Sequence, residues 1–153
     1  MKGTVVIGLG NPLMSDEGIG IRVLEQFQSQ ADRFPDVEFL DLGTSAAEVL
    51  HAIAGRSKAV FIDCAYMSEP PGTIREFGRD SVQSVKTPGV SFHEGDLLAT
   101  LDLSRRLGEN PPVVLIFGIE PHRIGPGQEL SPALQSRLNE YVERVARELT
   151  HPF

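Results

Sequence analysis

The passage from a β-branched run into a helix through the glycine-rich stretch GLGNPLMSDEGIG, positions 8–20, constrains this chain more than any other feature. Thr4 to Leu9 (TVVIGL) reads as a short buried strand, and Gly8-Leu9-Gly10-Asn11-Pro12 ends it in a tight loop. From Glu17 onward Ile19, Val23, Leu24 and Phe27 recur at helical spacing, until the polar stretch Gln28 to Arg33 and Pro35 closes the helix. Such a loop invites a dinucleotide reading, but the spacing fails. Leu13 stands where G-x-G-x-x-G needs its third glycine, and no phosphate-loop signature ending in Gly-Lys-Ser or Gly-Lys-Thr occurs anywhere. What the loop offers instead is a pair of acids, Asp16 and Glu17, at a helix N-terminus, where a carboxylate also offsets the helix dipole.

The same alternation continues along the chain. Val37 to Leu42 reads as a second strand, Ala46 to Ala54 as a short helix, and Ala59-Val60-Phe61-Ile62 as an apolar strand running into Asp63. Pro70-Pro71-Gly72 signals a turn, and Thr73 to Phe77 alternates like an edge hairpin. Gly78 to His93 has little periodicity and is the longest expected loop. Asp96 to Leu107 returns to helical spacing, and Val113 to Ile119 is the most hydrophobic strand. Ser131-Pro132 places a cap before a first-turn proline, opening one long amphipathic helix through Leu134, Leu138, Tyr141, Val142, Val145 and Leu149. Strands alternating with helices imply right-handed crossovers, hence an α/β fold: a three-layer α/β/α sandwich with a mostly parallel central sheet and an antiparallel edge strand. At 153 residues and 41% apolar content, positions 1–153 form a single domain with a real core.

The net charge of −7 repels phosphate backbones and anionic lipid, so neither a nucleic acid nor a membrane is an expected partner. Cys64 is the single cysteine, which excludes an internal disulfide and a multi-thiolate metal site and makes the cytoplasm the expected compartment. No apolar stretch approaches the ~20 residues that span a bilayer, and Met1-Lys2-Gly3 runs straight into a strand, so a chain neither exported nor embedded is expected. Nothing in the pattern demands more than a monomer.

In parallel sheets, ligands bind beyond the carboxyl ends of the strands. That rule directs attention to Gly10 to Gly20, Gly43-Thr44, Asp63 and Gly118 to His122. Asp63, ending an apolar strand beside Cys64, sits where burial is costly unless a partner compensates; its plainest role is to cap a nearby backbone N–H. His93 precedes a helix, where a histidine is ordinarily a capping or surface group. If Glu17, Asp63 and His93 converge at the sheet's carboxyl edge, they supply two oxygens and one nitrogen, the donor set of a metal centre with open positions. Cys64 has an apolar neighbourhood and reads as a buried, inert thiol; no G-x-S-x-G elbow exists; His51, His122 and His151 read as helix-surface, loop and tail residues.

Together these residues resemble the hydrogenase maturation endopeptidases, which process the large subunit of nickel-iron hydrogenases. The family opens with strand-G-x-G-N-x-L-x-x-D-D/E-G-x-G, matched here from Gly8 to Gly20. Its strand ending in Asp falls on Phe61-Ile62-Asp63, its histidine before a leucine-rich helix on His93-Glu94-Gly95-Asp96-Leu97-Leu98, and its late Gly-Ile/Val-Glu/Gln-Pro on Gly118-Ile119-Glu120-Pro121. The resemblance implies that Glu17, Asp63 and His93 are the metal-engaging and catalytic residues, that Asp16 holds the loop or the helix start, and that Asn11, Gly43 and Thr44 support the site or the substrate. Asp16 and Glu17 are adjacent, so on sequence alone their roles are interchangeable. The resemblance further implies a checkpoint: removal of a short C-terminal peptide from the large-subunit precursor only once nickel is inserted, with zinc or cadmium as possible surrogates for that nickel in the free protein. Sequence leaves open whether the metal serves recognition, chemistry or both. Two alternatives stand beside this reading. One is a non-catalytic metal-sensing docking module for hydrogenase assembly. The other is a peptidyl-tRNA hydrolase, whose first strand also runs into G-L-G-N-P but whose catalytic histidine has no counterpart before His51.

Overall fold

The structure is a computed structural model that describes residues 2–78, 91–92 and 97–150. Its strands are β1 (Lys2–Leu9), β2 (Val37–Gly43), β3 (Arg56–Tyr66), β4 (Ile74–Phe77), β5 (Ser91–Phe92) and β6 (Val113–Ile119). Its helices are α1 (Ile19–Gln28), α2 (Ala46–Ile53), α3 (Leu97–Arg106), α4 (Pro132–Gln135) and α5 (Leu138–Thr150), with 3-10 turns at Asp16–Gly18 and Ala31–Arg33. Among the described residues the sheet order is β2-β1-β3-β6-β4, with β5 joined to β3. β1 pairs in parallel with β2 and β3, and β3 with β6, while β4 runs antiparallel to β6. This is the expected mostly parallel sheet with an antiparallel edge strand.

Burial on both faces explains the near-continuous apolar runs. Along β3, Val60, Ile62 and Cys64 join a core with Ile19, Val23, Leu24 and Phe27 of α1 and Tyr141, Val142 and Val145 of α5. Ala59, Phe61 and Ala65 point the other way, into a second core with Val49 and Ile53 of α2 and Leu97 and Leu101 of α3. The two cores are the two interfaces of the sandwich, and they leave the strand ends to be finished by loops.

Two elements differ in extent from expectation, and Thr73 to Phe77, expected as an edge hairpin, holds the single edge strand β4 on β6. β3 begins three residues earlier than the apolar run, because the buried Lys58 ammonium is satisfied by the Glu148 carbonyl near the end of α5. It also continues past Asp63 to Tyr66, where Ala65 and Tyr66 pair antiparallel with Phe92 and Ser91, so part of the expected long loop is strand. The single long C-terminal helix is two helices interrupted at Ser136 and Arg137, where the Ser136 hydroxyl donates to the Ala133 carbonyl. Its apolar stripe nevertheless lies on one core as expected.

The glycines of the 8–20 loop serve close packing. A Cβ at Gly20 would stand 2.2 Å from the Ile62 carbonyl oxygen and 2.5 Å from that of Leu9. One at Gly10, whose φ is +122°, would stand 2.0 Å from the Glu17 carbonyl oxygen. The start of α1 therefore lies directly on the ends of β1 and β3, which a side chain would forbid. Gly20→Ala is expected to lower the unfolding free energy by about 3 kcal/mol, the upper end of an overpacking cost. A urea titration showing a loss well under 1 kcal/mol would contradict this packing.

A carboxylate cluster at the carboxyl edge of the sheet

Asp16 is fully buried, and both its oxygens are occupied. Oδ1 accepts the Ser131 N–H at 2.8 Å; Oδ2 accepts the N–H groups of His122 and Arg123 at 2.9 and 2.8 Å and the Ser131 hydroxyl at 2.7 Å. Four donors suit an ionised carboxylate, which is acceptor-only, and charge-assisted bonds of this kind contribute about 1.5–3 kcal/mol each. The Ser131 side chain, expected to cap α4, donates to Asp16 instead and makes no cap bond. The neighbouring backbone adds stitches: Ser15 N–H to Gly127 O at 2.9 Å, Asp16 N–H to Arg123 O at 3.1 Å, and Gly127 N–H to Leu13 O at 2.9 Å. Ser15 itself sits at φ 57°, a strained conformation for a residue with a side chain, with its hydroxyl on the Gly125 carbonyl at 2.8 Å. Loop 10–18 and loop 121–131 thus form one rigid unit.

Glu120 does the same for the loop that follows β3. Its Oε1 accepts the Met67 and Glu69 N–H groups at 2.7 and 3.2 Å, and its carbonyl accepts the Gly72 N–H at 2.8 Å. The buried Tyr141 hydroxyl donates to the Gly72 carbonyl at 2.7 Å, and burial pushes its pKa up to about 12. Glu120 lies in the strand-end stretch Gly118 to His122, but its amide partners lie some fifty residues away, so no local pattern announces the contact.

Glu17 and Asp63 are also buried, at 8% and 0% exposure, at the end of the sheet the strand-end rule selects. Glu17 lies in the 3-10 turn that packs on β3, and Asp63 Oδ1 accepts the Cys64 N–H at 2.8 Å, the capping contact expected of it. The Cys64 thiol registers the whole cluster: burial first, then the negative charges of Asp63, Glu17, Asp16 and Glu120, hold its pKa far above the ordinary thiol range. Tyr66 at the end of β3 is shifted upward by burial, then by Cys64, Glu17 and Glu120. Four buried acids thus lie toward the carboxyl end of the sheet, and all four bear on the Cys64 thiol.

His93 lies outside the described residues, as does the stretch 93–96. Phe92, immediately before it, is paired with Ala65, two residues beyond Asp63. Among the described residues no three of His, Cys, Asp and Glu form a metal-holding group by themselves. Gly43 (φ +55°) closes a turn with its N–H on Asp41 Oδ1 at 3.1 Å, and its carbonyl accepts the Gly10 N–H at 3.0 Å, which ties β2 to the glycine loop. Thr44 is exposed beside a small hollow that Leu9, Ala46, Val49 and Leu97 also line. Asn11 Oδ1 accepts the Leu13 N–H at 2.9 Å, so its visible work is to shape the loop. His122 is exposed and contributes its backbone to Asp16; His51 is exposed on α2.

The family model described as hydrogenase maturation protease matches residues 21–148. This chain belongs to that family. Its relatives include the hydrogenase 2 maturation protease of Escherichia coli (strain K12), 32% identical over 143 residues that span 92% of this chain and 87% of that protein. The hydrogenase expression/formation protein HoxM of Cupriavidus necator is 28% identical over 144 residues, 93% of this chain and 71% of its own. Among solved structures, the hydrogenase maturating endopeptidase HybD from E. coli superposes with a TM-score of 0.81 at 28% identity, covering 95% of this chain and 91% of that one. The maturation protease HybD from Thermococcus kodakarensis shares the fold, with a TM-score of 0.78 at 22% identity over 97% and 99% of the two chains. This maturation protease is thus a peptidase that acts in hydrogenase maturation, and the peptidyl-tRNA hydrolase alternative falls away. Among the described residues no helix is long and apolar enough to cross a membrane.

Cys64, buried and held protonated, is expected to resist iodoacetamide in the folded maturation protease even at pH 9 and to alkylate fully in guanidinium chloride, as read by intact mass. Rapid alkylation of the folded protein would mean that Cys64 is not buried.

Proposed function

We propose that this protease removes a short C-terminal extension from a nickel-iron hydrogenase large-subunit precursor that already carries its nickel, and that Glu17, Asp63 and His93 meet that metal. The observation that carries the reading is the pairing of Phe92, the residue before His93, with Ala65 on the strand that holds Asp63, on which the 3-10 turn of Glu17 also packs. The division of labour among the acids supports it. Asp16 has both oxygens filled by four donors, which supports giving it the loop and giving the metal to Glu17.

Two carboxylates and an imidazole form a donor set suited to a borderline divalent ion, and a metal presented by the precursor fits that set. Recognition of the substrate is then coupled to metal loading, because an empty precursor brings no ion for these three donors to hold. For the cleavage itself a buried carboxylate is the natural acceptor of the proton lost by an attacking water. In the absence of precursor, binding of nickel, zinc or cadmium is expected to be weak and unselective. The partner is the precursor rather than a nucleic acid or a membrane, and the protein works as a cytoplasmic monomer.

The test is incubation of the purified protein with its cognate precursor, with and without nickel, followed by intact-mass measurement. Loss of one C-terminal peptide from the nickel-loaded form alone is the expected result. An unchanged mass with a properly loaded precursor would overturn the reading. Glu17→Gln and Asp63→Asn are each expected to slow that cleavage by at least about 100-fold.

A further inference from the structure

Five large apolar side chains among the described residues are exposed: Leu13, Tyr66, Leu103, Leu107 and Ile124. A single exposed apolar residue needs no explanation, but three of these five border the carboxylate cluster. Leu13 is in the loop that carries Asp16 and Glu17. Ile124 is bridged to Ser15 in the loop that Asp16 fastens. Tyr66 ends β3 three residues beyond Asp63, within the electrostatic reach of Glu17 and Glu120.

Leu13 is the most exposed of the five, at 60%, yet its backbone is fixed on both sides. Its N–H is held by Asn11 Oδ1 and its carbonyl by the Gly127 N–H, each at 2.9 Å. Pro12 before it has a locked φ and packs so tightly on Gly18 that a Cβ there would stand 2.5 Å from the Pro12 Cα. A leucine that contributes nothing to either core is therefore presented to solvent on a rigid mount. Ordering a contact residue in advance removes an entropic cost of association, which makes a preformed apolar tip a strong anchor for a partner.

We infer that Leu13, with Ile124 and Tyr66, forms an apolar docking collar that seats on an apolar patch of the folded large-subunit precursor beside its processing point. The inference rests on the proposed function for its occupant. Leu13 shares the loop that carries Glu17, Ile124 is bridged to Ser15 of that loop, and Tyr66 ends the strand that carries Asp63, so a protein whose chain reaches these acids meets the same loops. It also gives the architecture of loops 10–18 and 121–131 a second purpose: the four bonds to Asp16 that position the cluster also hold the collar.

The test measures KM and kcat for cleavage of the nickel-loaded precursor, and Kd for the same precursor by surface plasmon resonance, in Leu13→Ser, Ile124→Ser and Leu107→Ser. Leu107, 54% exposed, follows α3 shortly before the start of β6, at the opposite edge of the sheet, and serves as the control. Leu13→Ser is expected to raise KM and Kd about ten-fold with kcat within two-fold of wild type, Ile124→Ser to shift both in the same direction, and Leu107→Ser to leave both unchanged. Unchanged KM and Kd in Leu13→Ser, or an equal rise in Leu107→Ser, would overturn the collar. If the wild-type protein binds the precursor without cutting it, the proposed cleavage fails while Kd still decides the docking.

Discussion

The carboxylate of Asp16 is the interaction on which the rest of the site depends. A buried charge is tolerated only where donors replace its water, and this one is met by three backbone N–H groups and a hydroxyl drawn from positions 122, 123 and 131. The loop after β6 has little apolar surface of its own to bury, since most of 122–129 is exposed. Its conformation is therefore set by hydrogen bonding to an acid more than a hundred residues earlier in the chain. Glu120 repeats the device for the loop after β3. Two acids thus fix the loops, and the geometry they impose brings Glu17 and Asp63 to the same strand end.

Close approach is the other constraint. With Gly10 and Gly20 bare, the 3-10 turn and the first turn of α1 rest on the carbonyls that end β1 and β3, so Glu17 enters the cluster from a helix start rather than from a loop free to move. The negative charges of Asp63, Glu17, Asp16 and Glu120 add to burial in holding the Cys64 thiol protonated, so the acids and the thiol at this strand end are coupled electrostatically.

Much of this was legible from the residues, and the reasons differ. Strands buried on both faces declare themselves as apolar runs, so Val113 to Ile119 is read to the residue. Periodicity does not report a break that leaves the apolar stripe in phase, which is why the interruption at Ser136 and Arg137 escapes it. It also misses polar strand ends such as Arg56 to Lys58, whose place depends on a carbonyl ninety residues later. At the site, the strand-end rule selects Glu17 and Asp63 because both follow recognisable elements. The same rule reaches Asp16 and Glu120, within Gly10 to Gly20 and Gly118 to His122, but not what each of them holds, because their partners are mostly distant backbone amides with no side-chain signature. His93 lies outside the described residues, and its part in the site stays a proposal.

The most direct test of this division of labour compares unfolding free energies of Asp16→Asn and Glu17→Gln by urea titration. An asparagine at 16 must turn its NH2 toward donors whichever way its amide is set, so a loss of about 3 kcal/mol is expected. Glutamine at 17 keeps shape and an acceptor, and a change within about 1 kcal/mol is expected. A Glu17→Gln protein as destabilised as Asp16→Asn would make Glu17 a scaffold residue too and would contradict the separation of roles on which the site is built.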